Sequence, residues 1–189
     1  KKIGNYTPDF MLGWNNSFSY KNWNLSFLFD WRQGGELVSR TRALGTVGGQ
    51  LAETANRPEE GIVPQGVVNT GTAENPQYVQ NTTAVSAETY YRQFYDRNHE
   101  ENNIYDASYL KLRQFSVGYT FNLKDGFLGL SNGMDIDLAL VGRNLFAISE
   151  IPHFDPEQLA VQGTGFVSGV EDMSYATTRS IGLKAGFNF

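Results

Sequence analysis

The last thirteen residues, Thr177 to Phe189, read T-T-R-S-I-G-L-K-A-G-F-N-F, and they constrain the fold more than any other stretch. Ile181, Leu183, Ala185, Phe187 and Phe189 fall on one face of an extended strand, and Ser180, Gly182, Lys184, Gly186 and Asn188 on the other. That period of two follows from the alternation of side chains across a pleated strand. A soluble edge strand averages about five or six residues and rarely leaves its last aromatic bare. A longer run with one apolar and one polar side suits a strand between hydrocarbon and a wet lumen. The expectation is the final strand of an outer-membrane barrel, with Ile181, Leu183, Phe187 and Phe189 as its closing and assembly-signal face.

Four further segments alternate in the same way. Phe10, Leu12, Trp14, Phe18 and Tyr20 interleave with Met11, Gly13, Asn15, Ser17 and Ser19. After Lys21-Asn22, Trp23, Leu25, Phe27, Phe29 and Trp31 interleave with Asn24, Ser26, Asp30 and Arg32, so a tight hairpin is predicted. Phe115, Val117, Tyr119 and Phe121 mark another strand, and Met134, Ile136, Leu138 and Leu140 the next. The predicted fold is all-β: five antiparallel strands at about 9–21, 23–33, 107–121, 134–146 and 177–189. Each reaches the roughly 9–11 tilted residues that cross a bilayer.

Composition fits this and excludes much else. The 189 residues contain no cysteine, which removes disulfide scaffolds and thiolate sites. No apolar run approaches the ~18 residues of a transmembrane helix. A hydrophobic fraction of 40% does not count against a barrel, because half of each spanning strand faces water. Aromatics reach 14%, as interfacial girdles require. Between 34 and 106 there are ten acids and five bases, and between 147 and 176 five acids and no Lys or Arg. Such acidic loops do not suit nucleic acid.

The connections alternate in length: Lys21-Asn22 and 122–133 are short, 34–106 and 147–176 long. Short periplasmic turns and long external loops are the barrel habit, so both long segments are expected outside. Five strands fall short of the roughly eight of the smallest single-chain barrels, so the chain reads as the C-terminal part of a larger one. An open sheet in sequence order is expected, with free edges at 9–21 and 177–189. One conflict stands out. Leu110 and Leu112 are even-numbered, whereas Phe115 to Phe121 are odd, and an unbroken strand would turn Lys111 and Arg113 toward lipid. A β-bulge near Arg113-Gln114 would return both to the lumen; the competing account raises this segment above the membrane, where Lys and Arg can snorkel to lipid phosphates.

No enzyme constellation is present, and no cofactor or resident metal is implied. His99 and His153 lie in predicted loops without a second ligand at suitable spacing. Gly45-Thr46-Val47-Gly48-Gly49 and Gly165 to Gly169 match no phosphate-loop or nucleophile-elbow pattern and read as loop glycines. Asp155 and Glu157 with Glu171 and Asp172 could gather a divalent cation, but a solvated acidic loop is the stronger reading. Tyr90, Tyr91, Phe94 and Tyr95 are predicted on a short helix within 88–102. They would pack it onto its own loop, and secondarily contact a ligand or a lid protein.

Several segments together resemble SusC/RagA-type TonB-dependent transporters. They are Pro8-Asp9-Phe10, Gly13 to Tyr20, Tyr105 to Arg113, Val117-Gly118-Tyr119, Gly142-Arg143-Asn144-Leu145-Phe146, Phe154-Asp155-Pro156-Glu157, Thr178-Arg179-Ser180 and the terminal Phe-Asn-Phe. They occur in the family's order, although the tail lacks the Pro that usually precedes the Arg-Ser pair. The resemblance implies a barrel of about 22 strands with a plug, in the outer membrane of a Gram-negative bacterium among lipid and lipopolysaccharide. It also implies import of oligosaccharides or oligopeptides with a SusD-like surface lipoprotein and with TonB, which would engage a part absent here. The alternatives are a passive porin or autotransporter barrel and, less compatibly with wide aromatic bands, a soluble β-sandwich or carbohydrate-binding module.

Overall fold

The computed structural model describes residues 2–95, 97–123, 133–157, 160–162 and 165–188. The strands are β1 (Phe10–Tyr20), β2 (Trp23–Gln33), β3 (Glu36–Ser39), β4 (Val67–Asn69), β5 (Tyr78–Gln80) and β6 (Ile104–Asp106). They continue with β7 (Tyr109–Leu123), β8 (Met134–Ser149), β9 (Ala160–Gln162), β10 (Gly165–Val167), β11 (Val170–Glu171) and β12 (Ser180–Asn188). Two α-helices, α1 (Arg40–Val47) and α2 (Ala87–Arg92), lie within 34–106. The chain forms two compact units: a strand unit of Gly4–Leu37, Tyr105–Gln158 and Ser174–Phe189, and an excursion unit of Lys1–Ile3, Val38–Ile104 and Leu159–Met173.

In the strand unit five strands form one sheet in the order β1-β2-β7-β8-β12, antiparallel throughout. This is the expected order of the sequence, and among the described residues β1 and β12 each pair along one edge only. The β1–β2 register closes with Tyr20 opposite Trp23 across Lys21-Asn22. Lys21 takes the left-handed conformation this tight reversal demands, at φ 52°. Asn22 then secures the turn to β7, its Nδ2 donating to Thr120 O at 2.7 Å and Asn122 Oδ1 at 2.8 Å. Gln33, Tyr109, Ser149 and Ser180 all lie toward the opposite end of the sheet, so both long connections start and finish there. Most of the predicted 122–133 turn falls outside the described residues.

The register sorts every strand into two faces. Trp14, Phe18, Phe27, Phe29, Phe115, Val117, Leu138, Leu140, Ile181, Leu183 and Phe187 share one; Ser17, Ser26, Ser116, Asp137, Lys184 and Gly186 share the other. On the apolar face neighbouring rings meet edge to face: Phe10–Trp31 at 5.0 Å between centroids, Trp14–Phe27 at 5.5 Å, Trp23–Tyr119 at 4.9 Å.

The parity conflict in β7 is resolved by a bulge at Arg113. Leu28 pairs with Gln114 and the next residue, Phe29, with Leu112, leaving Arg113 as the extra residue. Leu110 and Leu112 therefore share the apolar face with Phe115, while Lys111 stays opposite Asp30 on the polar face. On the β8 side Leu112 faces Phe146 and Gln114 faces Arg143, so Asn144-Leu145 loop past Arg113. Asn144 sits at φ 50°, a left-handed conformation asparagine tolerates better than most residues. Leu145 lies over Gly142, where an added Cβ would come within 2.7 Å of Leu145 Cδ2. The Gly-Arg-Asn-Leu-Phe segment is thus a bulge-forming device.

The strand boundaries differ from expectation at the long-loop end. β7 begins at Tyr109 rather than Ala107, because Ser108 N donates to Asp106 Oδ1 at 2.7 Å and closes a local turn. β8 runs on to Ser149, and β12 starts at Ser180 rather than Thr177. Thr177 and Thr178 are diverted into side-chain bonds, to Asp155 Oδ2 at 2.9 Å and from Asn144 Nδ2 at 3.3 Å. A small core of Leu37, Ala107 and Ile151, flanked by Tyr6, Tyr105 and Phe154, packs this unit.

The excursion unit is built differently. Ser39 caps α1, its Oγ accepting Arg42 N at 3.0 Å, and Gly45-Thr46-Val47 complete the helix rather than forming a loop. Gly48 and Gly49 turn the chain out of it, Gly49 at φ 66°. β11 pairs in parallel with the end of β3, Glu171 opposite Ser39. The helix expected over 88–102 is broken into α2 and 3₁₀ turns at Gln93–Tyr95 and Arg97–Asn103, with His99 non-helical at the kink.

Candidate functional site

The polar face of the sheet carries the chemistry of the strand unit. From the hairpin end upward, several of its polar groups pair with neighbours. Ser19 Oγ donates to Asn24 Oδ1 at 2.8 Å, Asn122 Nδ2 to Asp135 Oδ1 at 2.8 Å, and Asn188 Nδ2 to Asp137 Oδ2 at 3.0 Å. Thr120 Oγ1 donates to the other oxygen of Asp137 at 2.5 Å. The result is a shallow trough of small hydrogen-bonded side chains floored by Gly118 and Gly186. It can line an aqueous path.

At the other end of this face lies a dense charge network. Lys111 is 3% exposed, and its Nζ is bound by Asp155 and by Glu157, the latter at 2.5 Å. Arg113, freed from the ladder by the bulge, donates through Nε and Nη2 to Asp30 Oδ2 at 3.0 and 2.7 Å and also pairs with Glu157. Tyr109 Oη donates to Glu157 Oε1 at 3.1 Å. Burial alone would push the Asp155 carboxyl up, but hydrogen bonds from Lys111, from Glu157 N and from Thr177, with the Lys111 charge, hold it below the usual carboxylate range. Burial opposes ionisation of Glu157 too, and Arg113 and Lys111 together reverse it. The Phe154-Asp155-Pro156-Glu157 segment is therefore pinned to β7, not the solvated acidic loop expected from sequence. With both carboxylates committed to cations, a divalent ion has little to claim there. Among the described residues no three His, Cys, Asp or Glu side chains gather for a metal.

In the excursion unit Glu171 is fully buried, accepting from Ser39 Oγ at 2.8 Å and Thr41 Oγ1 at 2.5 Å, and Asp172 lies 3.7 Å from Arg40. Of the four aromatics, Tyr91 Oη donates to Glu53 O at 3.0 Å and Asn56 O at 2.9 Å, tying α2 to the 52–57 segment. Phe94 lies under the Arg42 guanidinium at 5.2 Å. Tyr90 meets both rings edge on, 5.2 Å from Tyr91 and 6.1 Å from Phe94. Tyr95 is 58% exposed. His99 and His153 are exposed.

Comparison with known proteins agrees with this geometry. No protein-family model matches the chain. TonB-dependent receptor P3 of Formosa agariphila is 31% identical over 157 residues, covering 83% of this chain and 14% of that protein. TonB-dependent receptor P26 of the same organism is 28% identical over 200 residues, 99% of this chain and 18% of its own length. TonB-dependent receptor P39 is 24% identical over 188 residues. In three dimensions 96% of the chain superposes on 17% of a chain of the RagAB peptide importer in its open-open state, with TM-score 0.54 and 18% identity, a likeness of fold. The chain is a barrel segment of the TonB-dependent receptors. It spans less than a fifth of the relatives it matches.

In this receptor segment Ile181, Leu183 and Phe187 lie where the alternation puts them, on the apolar face and 69%, 87% and 58% exposed. Phe189 lies outside the described residues. The charge network was not apparent in sequence, because Asp30, Lys111 and Asp155 are far apart along the chain. One signal could have found it: Lys111 and Arg113 conflicted with the strand pattern, and 147–176 holds five acids and no Lys or Arg.

Proposed function

We propose that the segment contributes wall strands to an outer-membrane transporter that imports oligosaccharides or oligopeptides with a SusD-like lipoprotein, driven through TonB. One observation carries this reading: a single antiparallel sheet presents a broad exposed apolar face on one side and a polar face on the other. Leu183, Ile181, Phe187, Trp14 and Phe18 are all more than half exposed on the first. In water such a face is a large aggregation-prone patch; against lipid tails it is matched. The strand ends support placing 34–106 and 147–176 outside the cell and Lys21-Asn22 in the periplasm. The edges of β1 and β12 would be satisfied by further barrel strands, since open edges are not tolerated in hydrocarbon.

Two measurements on the full receptor in cells test this. In a cysteine-free background, Val68→Cys should react with a membrane-impermeant maleimide on intact cells, and Lys21→Cys only once the outer membrane is opened. The reverse pattern overturns the topology. Uptake of the cognate oligomer should collapse when the proton-motive force is dissipated. Uptake that persists selects the passive-porin reading instead.

A further inference from the structure

The polar face of the sheet is open along much of its length and covered at the end away from the hairpin. Ser17 and Lys184 stand exposed on it, whereas Tyr109 and Lys111 are each 3% exposed. Part of the cover is the segment 150–157, which leaves β8 after Ser149 and whose Asp155 and Glu157 hold the Lys111 ammonium. The strand this connection must finally reach is β12, on the far side of β8 in the order β1-β2-β7-β8-β12. Instead of turning that way, the segment doubles back over β7: Glu157 meets Lys111 and Arg113, and Arg113 in turn meets Asp30 of β2. Asp30 and Lys111 are ladder partners, and the ladder continues past them to Arg32 and Tyr109. The segment therefore lies against the polar surface of the wall and not beyond its rim.

Two kinds of contact hold it there. Ile151 is buried in the small core with Leu37 and Ala107, Phe154 packs against that core with its ring 6.0 Å from Tyr105, and Pro156 is buried. Asp155 and Glu157 flank the proline and both reach Lys111, while Asp155 Oδ2 also accepts from Thr177 Oγ1 at 2.9 Å. Thr177 precedes β12, so one carboxylate ties the outgoing and returning parts of the connection to each other. A swinging lid needs contacts that separate cheaply, and buried paired charges do not. In a membrane barrel the polar face of the wall is its lumen side. We infer that 150–157 is a fixed inward strap, which narrows the external mouth of the pore along this wall and limits the bulk of what passes there. His153, exposed between Ile151 and Phe154, is its accessible residue. The strap deepens the transporter reading and rests on its topology.

The test labels single cysteines in the full receptor on intact cells with two thiol reagents, a small charged methanethiosulfonate and a maleimide on a long polyethylene glycol chain. Val68→Cys, in the excursion unit, should react with both. His153→Cys should react with the small reagent but about tenfold or more slowly with the polymer, relative to Val68→Cys, because the polymer must wait for the strap to open. Adding Asp155→Ala with Glu157→Ala removes the ionic anchor, and adding Phe154→Ala removes the apolar one. Each should raise the polymer rate at His153→Cys by about tenfold, since losing a buried anchor shifts a local opening equilibrium by at least that factor. Two anchors of different chemistry keep the test decisive if one variant fails to assemble, which heat-modified gel mobility reports. Equal polymer rates at His153→Cys and Val68→Cys overturn the strap, as does a slow polymer rate that neither release variant changes. A Val68→Cys that stays unlabelled on intact cells instead removes the topology on which the strap rests.

Discussion

The sheet and the excursion unit hold together by different means. In the sheet, backbone ladders carry the structure and each side chain has only to face the correct side; the register runs unbroken along β1–β2 and β8–β12. In the excursion unit the strands are two to four residues long and α2 has six. There, side chains bonded to backbone do the joining: Arg57 to Thr54, Tyr91 to Glu53 and Asn56, and Asn103 to Phe94. A ladder tolerates the loss of a single side chain far better than a knot of such bonds does. The charge network of Lys111 and Arg113 is the exception, a knot set upon a ladder.

That exception gives the largest expected effect. Lys111→Met leaves the carboxylates of Asp155 and Glu157 short of a cation, and breaking such a buried pair costs roughly 3–5 kcal/mol. Urea unfolding of the detergent-solubilised receptor should show it, and a loss below about 1 kcal/mol would place the network among ordinary surface pairs. Next comes the membrane face: Leu140→Arg should cost about 2–4 kcal/mol in a lipid-folding assay, against little for Ser116→Arg on the polar face. Equal costs would dissolve the distinction between the two faces. Smaller is Glu171→Gln, which weakens the charge-assisted bonds from Ser39 and Thr41 by about 1–3 kcal/mol. Hydrogen exchange at 38–46 should quicken while β7 and β8 stay protected; acceleration in both would mean the two regions open together.

The smallest effect concerns acid. Asp155 and Glu157 are held below their ordinary values of 3.8 and 4.5, so the folded protein binds their protons less readily than the unfolded chain does. Their contribution is complete above those ordinary values and is lost as pH falls below them, through the lowered ones. Thermal midpoints measured from pH 6 down to 3 should fall less steeply in Asp155→Asn than in the native protein. Parallel curves would show that these carboxylates do not govern acid stability.

The two regions also differed in legibility. Alternation from Phe10 to Trp31 and from Ile181 to Phe187 located strands because a period of two is local and repeated. The bulge at Arg113 was legible through a contradiction, since leucines of one parity met phenylalanines of the other. What Arg113 and Lys111 bind was not, because Asp30, Asp155 and Glu157 arrive from distant positions and no local period encodes a pairing. The fate of Glu171 was hidden for the same reason. Tyr91 was visible as an aromatic on a short helix, but its phenol ends on two backbone carbonyls that any sequence could supply.

The Arg113 bulge has a consequence for anyone who walks a chemical probe along β7. Below it the positions on the polar face are even, Gln114, Ser116, Gly118 and Thr120; above it they are odd, Lys111 and Tyr109. The strand behaves as a wave whose phase inverts at one node. An accessibility scan fitted with a single alternating rule would therefore score one half of a perfectly ordered strand as inside out. Deleting Arg113 at the node would leave a regular strand with its faces unchanged, whereas a one-residue deletion elsewhere in β7 would exchange the surroundings of every side chain on one side of the gap.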